Sequence, residues 1–303
     1  MNFPILSPPA GEERPRRSDE MDLIPRLGPD TGRIISDFIL DRIGPSQDRP
    51  AVLGLSGGLD SALVLKLLVD SLGAERVRPI FLPYGDLNPE DIGFADMASK
   101  ACETHLEVID IQGFVDAVPL DLAEMARGNA MARARMLVLY AVANVTGGLV
   151  IGTSNKSELL TGYFTKYGDG ASDICPIGDL FKTQVRELSR ELGVPEAIID
   201  RPPTAGLVAG QTDEGELRMP YPLLDQVLNG SIRGYSTRTI ADNIDHSTTS
   251  VEEFDRSGFE PPVDEDDVIS VQSRMGLSRH KRVSLQVPKL GPYTIGIDYR
   301  ERI

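Results

Sequence analysis

The sequence predicts an α/β fold in which a doubly wound parallel sheet is covered by helices on both faces. Short apolar runs of strand length alternate along the chain with segments of helical periodicity, a pattern typical of βαβ units. The runs are apolar throughout, as is expected of strands that are buried on both faces. Polar, glycine-containing turns follow two of the runs. Ligands of open parallel sheets bind at the carboxyl ends of the strands, so we expect the functional site at these turns.

The first half of the chain supplies four predicted strands and most of the helices that cover them. Polar N-cap residues, the hydrophobic periodicity and helix-ending residues define the predicted bounds of each element. Gly73 and Gly147 end two of the helical segments. The predicted strands are residues 51–55, 77–82, 106–111 and 149–152. The predicted helices are residues 31–44, 59–72, 90–105 and 129–145.

Beyond the fourth strand the pattern is mainly helical, with predicted helices at residues 156–160, 181–192, 220–228 and 263–277. Residues 204–219 carry glycines and mixed charge without periodicity, which predicts a mobile functional loop. Prolines and charged residues crowd the first 29 positions, which is typical of a flexible arm. The sequence therefore predicts an N-terminal arm (1–29) and a single α/β domain (30–303) with a helical C-terminal part.

Composition limits the classes of partner. The chain has 303 residues, with 46 acidic and 31 basic side chains and a net charge of −15. A duplex nucleic acid or an anionic membrane requires a broad basic face, so both are disfavoured. Small anionic ligands need only a local basic pocket and stay open. Two cysteines exclude a disulfide framework and a four-cysteine zinc site. No apolar run reaches membrane-spanning length, and we expect a cytoplasmic protein.

A serine- and glycine-rich turn joins the first predicted strand to the next helix. Gly57 and Gly58 allow a tight turn and a close approach to a ligand, and free N–H groups at a helix start attract anions. Ser56 and Ser61 add hydroxyl donors, and Asp60 offers a carboxylate for Mg²⁺. The spacing excludes a Walker loop and the G-x-G-x-x-G fingerprint. A plain tight turn is the alternative, which the serines and the aspartate disfavour.

This turn, S-G-G-x-D-S, resembles the phosphate loop of the ATP-pyrophosphatase (PP-loop) superfamily. A longer block, residues 152–170, resembles ammonia-dependent NAD synthetases. Its Asn155-Lys156-Ser157 turn is more similar to glutamine-dependent and archaeal members than to short bacterial ones. Other matching segments occur in the same order over about residues 30–290, at 128–129, 133–136, 181–182, 203–205 and 280–282.

The resemblance implies a Rossmann-like fold of the adenine nucleotide alpha hydrolase type and a ligase activity. Such enzymes use ATP to amidate nicotinic acid adenine dinucleotide (deamido-NAD) to NAD, the last step of NAD biosynthesis. The carboxylate is adenylylated, ammonia attacks it, and AMP and pyrophosphate are released. A free carboxylate is a poor electrophile because its charge repels a nucleophile and it lacks a leaving group. Adenylylation removes both obstacles, and Mg²⁺ neutralises the departing pyrophosphate.

The resemblance also implies a role for individual positions. Asp60 and Glu158 would hold Mg²⁺, Asp169 would face ammonia, and Asp60, Asp169 and Lys182 would be catalytic. A carboxylate attracts an ammonium ion and helps to take its proton. ATP would be bound by Gly54, Leu55, Ser56, Gly57, Gly58, Leu59, Asp60, Ser61, Thr153, Lys182 and Thr204. Deamido-NAD would be bound by Arg133, Lys166, Asp173, His280 and Lys281.

Several of these residues have a plainer interpretation. Glu158 occupies a position where an acid complements the start of a helix. Residues 279–282 are also compatible with a solvated basic cluster. Arg133 and Arg135 are two residues apart on a predicted helix and so point in different directions. One of the two can therefore be functional while the other is solvated.

The expected partners are small molecules and a second copy of the chain, since the family that the sequence resembles is dimeric. Only 50 residues precede the first predicted strand, too few for the amidase domain of the glutamine-dependent enzymes. Free ammonia, or ammonia from a separate glutaminase, is therefore expected. Two alternative functions fit the sequence less well. One is another PP-loop ligase, which the 165–170 block disfavours. The other is a nucleotide-binding regulator or a structural dimer without catalysis, which intact Asp60 and Glu158 disfavour.

Overall fold

The computed structural model describes residues 21–44, 49–86, 89–204 and 212–283. At its centre lies a sheet of four parallel strands: β1 (Ala51–Gly54), β2 (Val77–Phe81), β3 (Glu107–Val108) and β4 (Leu149–Ile151). Their order in the sheet is β3-β2-β1-β4. The chain therefore builds outward from β1 in one direction and then returns to add β4 on the other side. The crevice at such a reversal is where open α/β sheets bind ligands.

Helices cover the sheet on both faces and continue into the C-terminal part. Short 3₁₀ turns occur at Ala74–Arg76 and His246–Thr248. In the described residues the helices of the N-terminal half are α1 (Thr31–Ile43), α2 (Leu59–Leu72), α3 (Asp91–Ala101), α4 (Gln112–Asp116) and α5 (Glu124–Thr146). Those that follow β4 are α6 (Lys156–Thr161), α7 (Lys182–Glu191), α8 (Glu196–Ile199), α9 (Asp213–Leu217), α10 (Tyr221–Ile232), α11 (Thr237–Ala241), α12 (Val251–Ser257), α13 (Glu265–Leu277) and α14 (Arg279–Arg282).

The central strand distributes its side chains between two apolar layers, as the pleat requires. Leu53 and Leu55 belong to a core that α1, α2 and α7 complete, whereas Val52 belongs to a second core formed largely with α5. All three side chains are buried. The strand is apolar throughout because both of its faces are covered. The predicted doubly wound α/β fold is thus confirmed.

A separate apolar cluster holds the helical C-terminal part together. Leu223 and Val227 of α10 pack with Ile240 of α11 and Val268 of α13. Leu23, before the first helix, belongs to the same cluster and is fully buried. The side-chain amide of Asn229 also donates a hydrogen bond to the carbonyl of Leu23 (2.8 Å).

Strand β3 is much shorter than the strand predicted over residues 106–111, and helix α4 follows it where none is predicted. Beyond the ladder, Ile109 and Ile111 donate to the carbonyls of Phe81 and Pro83 (3.0 and 2.9 Å). In a regular parallel ladder the residue at position 83 would donate a hydrogen bond back to the β3 segment. Proline has no N–H, so regular pairing ends at Pro83.

The observed bounds of some other elements differ from the predicted ones, and some predicted segments lie outside the described residues. Helix α5 begins at Glu124, about one turn before the predicted start, while α2 matches its prediction. Within the predicted loop at 204–219, Asp213–Leu217 form α9, which Thr212 caps by accepting from the N–H of Gly215. Residues 205–211, and residues 1–20 of the predicted arm, lie outside the described residues. Over the described ranges, no helix has both the length and the apolar character needed to cross a bilayer.

Candidate active site

A cavity of about 520 Å³ opens at the carboxyl ends of β1 and β4, where the strand order reverses. It gathers most of the residues assigned to the site from sequence. Those that line it are Gly54, Leu55, Ser56, Gly58, Leu59, Asp60, Ser61, Thr153, Glu158, Asp169, Lys182, Thr204 and Lys281. The ATP positions and the three catalytic positions therefore share one chamber, with Gly57 just behind the wall.

The turn between β1 and α2 is braced by its own side chains. The hydroxyl of Ser61 accepts from the N–H of Ser56 (3.2 Å) and donates to the carbonyl of Gly58 (2.9 Å). Gly57 has a φ of +84°, and a Cβ there would lie 2.5 Å from the carbonyl oxygen of Asp91. Only glycine fits such a position. The result is a rigid turn at the positive end of a 14-residue helix, suited to anion binding.

A lysine and two carboxylates form the charged centre of the cavity. The ammonium of Lys182 pairs with Asp60 and lies 4.0 Å from Glu158. Lys182 is only 5% exposed, although α7 carries it from a part of the chain far from the turn. The side-chain amide of Asn155 donates to both Asp60 (3.0 Å) and Glu158 (2.8 Å). These bonds fix the two carboxylates side by side.

The ionisation of this centre reflects its burial and its excess of acid. Burial, and then the charge of Asp60, raise the pKa of Glu158 well above its usual value. Burial alone would lower the pKa of Lys182, but the Asp60 and Glu158 carboxylates outweigh it and hold that pKa above its usual value. The lysine therefore stays charged, and a further cation beside Glu158 would favour the ionised form of that carboxyl.

Asp60 and Glu158 fit a magnesium ion that takes its remaining ligands from substrate. Nowhere in the described ranges do three or more metal-binding side chains form a group able to hold an ion. Mg²⁺ is commonly bound by one or two carboxylates together with phosphate oxygens and waters. The pair beside the phosphate loop matches that arrangement, since it places two carboxylates next to the expected phosphates.

A buried acid behind the cavity positions the two helices that carry Glu158 and Lys182. Asp225 is fully buried and accepts hydrogen bonds from the hydroxyl of Ser157 on α6 (2.5 Å). It also accepts from the N–H and hydroxyl of Thr183 on α7 (2.9 and 2.8 Å). Burial raises its pKa to about 6. Sequence reasoning missed Asp225, since nothing around α10 marks it as a partner of residues so distant along the chain.

Asp169 and Lys281 lie on the other side of the same cavity. The carboxylate of Asp169 accepts from the N–H of Thr165 (2.9 Å), and its burial raises its pKa. The ammonium of Lys281 donates to the carbonyls of Gly162 and Phe164 (2.7 and 2.8 Å). The segment 162–164 is thus tied to the C-terminal helix α14 through a cation.

Four predicted deamido-NAD positions, Arg133, Lys166, Asp173 and His280, lie outside the cavity wall. Arg133 donates to the carbonyl of Lys166 (3.3 Å), and Lys166 donates to the carbonyl of His280 (2.8 Å). These three form one chain of contacts on the exposed side of the 165–170 turn. Asp173 instead accepts from the N–H of Val150 at the end of the sheet (2.7 Å). Their predicted roles remain predictions.

Asp213 also lines the cavity, although no role was predicted for it. It is 4% exposed, and its Oδ2 accepts from the hydroxyl of Tyr221 (3.1 Å), while its Oδ1 has no hydrogen-bond partner within the described part of the chain. Burial raises its pKa to about 6. An acid in a stretch without periodicity carries no signal that would have singled it out. The basic cavity residues Arg135, Arg186 and Arg201 were not assigned a role from the sequence either.

Comparison with known proteins agrees with this geometry. The family model described as NAD synthase matches residues 33–257. The chain belongs to the NAD synthase family. The NH₃-dependent NAD⁺ synthetase of Trichlorobacter lovleyi is 42% identical over 272 residues, covering 88% of this chain and 93% of that protein.

Solved structures of the family superpose over most of the chain. The NMN synthetase of Francisella tularensis is similar with a TM-score of 0.69 and 30% identity, covering 88% of this chain and all of that one. The NH₃-dependent NAD synthetase of Campylobacter jejuni, solved with nitrate, has a TM-score of 0.66 at 28% identity, covering 88% of this chain and 99% of that one. The PP-loop, Rossmann-like fold is therefore confirmed.

Proposed function

We propose that the chain amidates deamido-NAD to NAD with ATP and ammonia, through an adenylylated carboxylate, and releases AMP and pyrophosphate. The observation that carries this proposal is the shared cavity. It holds the phosphate loop, the centre of Asp60, Glu158 and Lys182, and the buried Asp169 within one chamber. ATP activation and attack by ammonia can then occur without release of the reactive intermediate.

In the first step the phosphate loop holds ATP so that its α-phosphorus faces the substrate carboxylate. Free N–H groups at the start of α2 and the hydroxyls of Ser56 and Ser61 meet the phosphate oxygens. A carboxylate oxygen attacks the α-phosphorus, and the bond to pyrophosphate breaks. Lys182, held in place by the Asp60 pair, supplies positive charge to the leaving group.

We propose Mg²⁺ as the cofactor, held by Asp60 and Glu158. When bound, it would neutralise the charge that develops on the pyrophosphate. The side-chain amide of Asn155 keeps both carboxylates facing the same point. Asp225 and Ser157 hold the start of α6, which bears Glu158, against the start of α7, which bears Lys182.

In the second step Asp169 receives ammonium and takes its proton. Ammonium is the predominant form at neutral pH, and a buried carboxylate attracts it. Burial raises the pKa of Asp169, which makes the carboxylate a stronger base. The free ammonia adds to the acyl carbon, and the bond between that carbon and the AMP oxygen breaks with its electron pair leaving on AMP. The nitrogen gives up a second proton to the departing AMP or to water, and NAD forms.

The test is NAD formation from deamido-NAD, ATP and Mg²⁺, with ammonium and glutamine compared as nitrogen sources. We expect product with ammonium. Since the Francisella tularensis relative is named NMN synthetase, the mononucleotide counterpart of deamido-NAD is offered in parallel. Product from the mononucleotide alone would transfer the proposal to that substrate, and no amidated product from either compound would reject it.

Variants separate the two steps. Asp60→Ala is expected to abolish deamido-NAD-dependent exchange of pyrophosphate into ATP, whereas Asp169→Ala should retain exchange and lose amidation. Asp41→Ala, on the exposed face of α1, is the matched control with wild-type rates. Full exchange activity in Asp60→Ala would remove that residue from the first step.

We also propose a homodimer formed through an apolar groove along α5. The groove is lined mainly by aliphatic side chains of α5 together with Phe114 of α4. Leu137 is 57% exposed and Val145 88% exposed, unusual values for side chains on a solvated surface. A second copy fits because the face is almost uncharged on a protein of net charge −15. Light scattering of Val145→Asp should give a monomer; a wild-type monomer would contradict the proposal.

The remaining proposals concern the cellular location of the enzyme and its source of ammonia. We propose a cytoplasmic location, and ammonia that is either free or delivered by a separate glutaminase. Addition of a glutaminase and glutamine to the purified chain should restore NAD formation in the absence of ammonium.

A further inference from the structure

Five basic side chains line the cavity, and they differ in how their charge is neutralised. Within the described residues, three have a carboxylate partner. Arg186 lies 3.0 Å from Glu253, and the other two make still closer pairs. The five are Arg135, Lys182, Arg186, Arg201 and Lys281. The pairs are Lys182 with Asp60, Arg186 with Glu253, and Arg201 with Asp91. The charge of these three is thus already balanced by the protein.

Lys281 has no acid partner in the described residues, but its three donors are largely occupied. Its ammonium donates to the carbonyls of Gly162 and Phe164 and lies 5.4 Å from the centre of the Phe164 ring. These contacts connect α14 to the segment 162–164. It contributes positive potential to the cavity while little of its hydrogen-bonding capacity remains for a ligand.

Arg135 differs from the other four. Its Nε donates to the carbonyl of Leu82 (3.0 Å), which orients the guanidinium. Among the residues that the structure describes, no carboxylate lies within 4.0 Å of it, and its two terminal nitrogens make no hydrogen bond. Burial lowers its pKa, yet arginine stays charged in proteins. A cation so poorly compensated at the wall of a cavity requires an anion from outside the chain.

The same part of the cavity contains Asp169. Of the charged groups that act on that carboxylate, Arg135 has the largest effect, followed by Lys281. On Arg135 the acids with the largest effect are Asp169 and then Asp91, and Asp91 is already paired with Arg201. Arg135 and the proposed ammonia-binding acid therefore line one cavity, close enough for the charge of each to act on the other.

We propose that Arg135 binds the reacting oxygen of the substrate. It pairs with the free carboxylate of deamido-NAD before adenylylation, and with the acyl oxygen afterwards. As ammonia adds to the acyl carbon, the electron pair of the C=O bond moves onto that oxygen. The terminal nitrogens of Arg135 then donate to a full negative charge. The C=O bond re-forms as the bond to AMP breaks, and the electron pair of that bond leaves on AMP. Asp169 keeps the proton taken from ammonium, and the nitrogen releases its second proton to AMP or to water. This inference rests on the proposed function and adds the group that stabilises the oxyanion.

Arginine suits this position better than lysine would. Its planar fork has two donors that can meet a carboxylate together, and the bond from Nε to Leu82 sets the plane of the fork. Donors arranged in advance around a developing charge stabilise the transition state more than the ground state. The role therefore predicts a loss in kcat as well as in substrate affinity.

The test uses Arg135→Gln and Arg135→Lys, with Arg127→Gln as the matched control. Arg127 is on the same helix but exposed, and among the described residues it donates only to the carbonyl of Leu122 (3.5 Å). Calorimetry measures binding of deamido-NAD and of NAD, which differ in a carboxylate against an amide. For Arg135→Gln we expect affinity for deamido-NAD to fall by about tenfold or more, while affinity for NAD changes by less than about threefold.

Kinetics supply the second readout. The kcat for NAD formation by Arg135→Gln should fall by about 10²–10³, as when one oxyanion donor is removed. Arg135→Lys keeps the charge and should retain more activity. Equal loss of affinity for both dinucleotides, or a kcat near wild type, would overturn the proposal.

If Arg135→Gln does not fold, the same two measurements on Arg135→Lys decide, with a selective loss for deamido-NAD required. Wild-type enzyme that forms no NAD would reject the proposed function instead, so the two failures are distinguishable.

Discussion

Gly57→Ala tests the geometry of the phosphate loop most sharply. The residue has a φ of +84°, and an alanine Cβ would lie 2.5 Å from the carbonyl oxygen of Asp91 and 3.1 Å from the Cβ of Phe94. The left-handed conformation costs about 1–2 kcal/mol for a residue with a Cβ. The contact with the backbone of α3 adds about 1–3 kcal/mol, because neither α2 nor α3 can move without disturbing the core. We therefore expect Gly57→Ala to lower the free energy of unfolding by about 2–5 kcal/mol.

The matched control is the neighbouring glycine. Gly58 has an ordinary φ of −85° at the N-cap of α2, and a Cβ there would be 3.4 Å from the hydroxyl of Ser56. Gly58→Ala should cost about 1 kcal/mol or less, the usual difference between glycine and alanine at an N-cap. Urea denaturation followed by circular dichroism measures both variants. An equal loss of stability in the two would refute the argument from backbone conformation and close approach.

Three further predictions concern the acid behind the site and the packing around it. Asp225 binds its proton more tightly in the folded chain (pKa about 6) than at its ordinary value of 3.8. The stability of wild type relative to Asp225→Asn should therefore fall, by up to about 3 kcal/mol, as the pH rises from about 4 to about 6. Parallel curves from urea titrations would contradict this. Gly170→Ala would place a Cβ 2.2 Å from the Phe164 ring, so we expect a lower Tm and about 1–3 kcal/mol of destabilisation. Leu53→Ala, at a fully buried position, should cost about 2–5 kcal/mol, whereas Leu120→Ala, 70% exposed, should leave Tm nearly unchanged.

Elements bounded by strong local signals are predicted well from the sequence. Helix α2 spans the predicted residues because glycines precede and follow a continuous helical pattern. The phosphate loop and Glu158 meet because β1 and β4 are neighbours in the sheet, and adjacent parallel strands bring the turns at their ends together. Strand β3 is shorter than predicted because Pro83, just beyond the end of β2, cannot donate a hydrogen bond. That limit depends on pairing between segments and is not visible within either one.

Contacts between distant segments explain what the sequence does not reveal about the site. Asp225 joins α6 and α7 although it lies 68 residues beyond Ser157. The choice between Arg133 and Arg135 depends on which side of α5 packs against the sheet. Buried residues occur along most of that helix, so its pattern marks no single inward face. The structure directs Arg135 into the cavity and leaves Arg133 exposed at its rim.

In the proposed reaction, the substrate carboxylate is adenylylated and the adenylylated intermediate is then attacked by ammonia in the same cavity. The most direct measurement uses deamido-NAD labelled with ¹⁸O in both carboxylate oxygens, with mass spectrometry of every product. An oxygen that attacks the α-phosphorus must leave with AMP, so we predict one ¹⁸O in AMP and one in the amide of NAD for each turnover. Label in pyrophosphate or in released phosphate, with unlabelled AMP, would contradict the account.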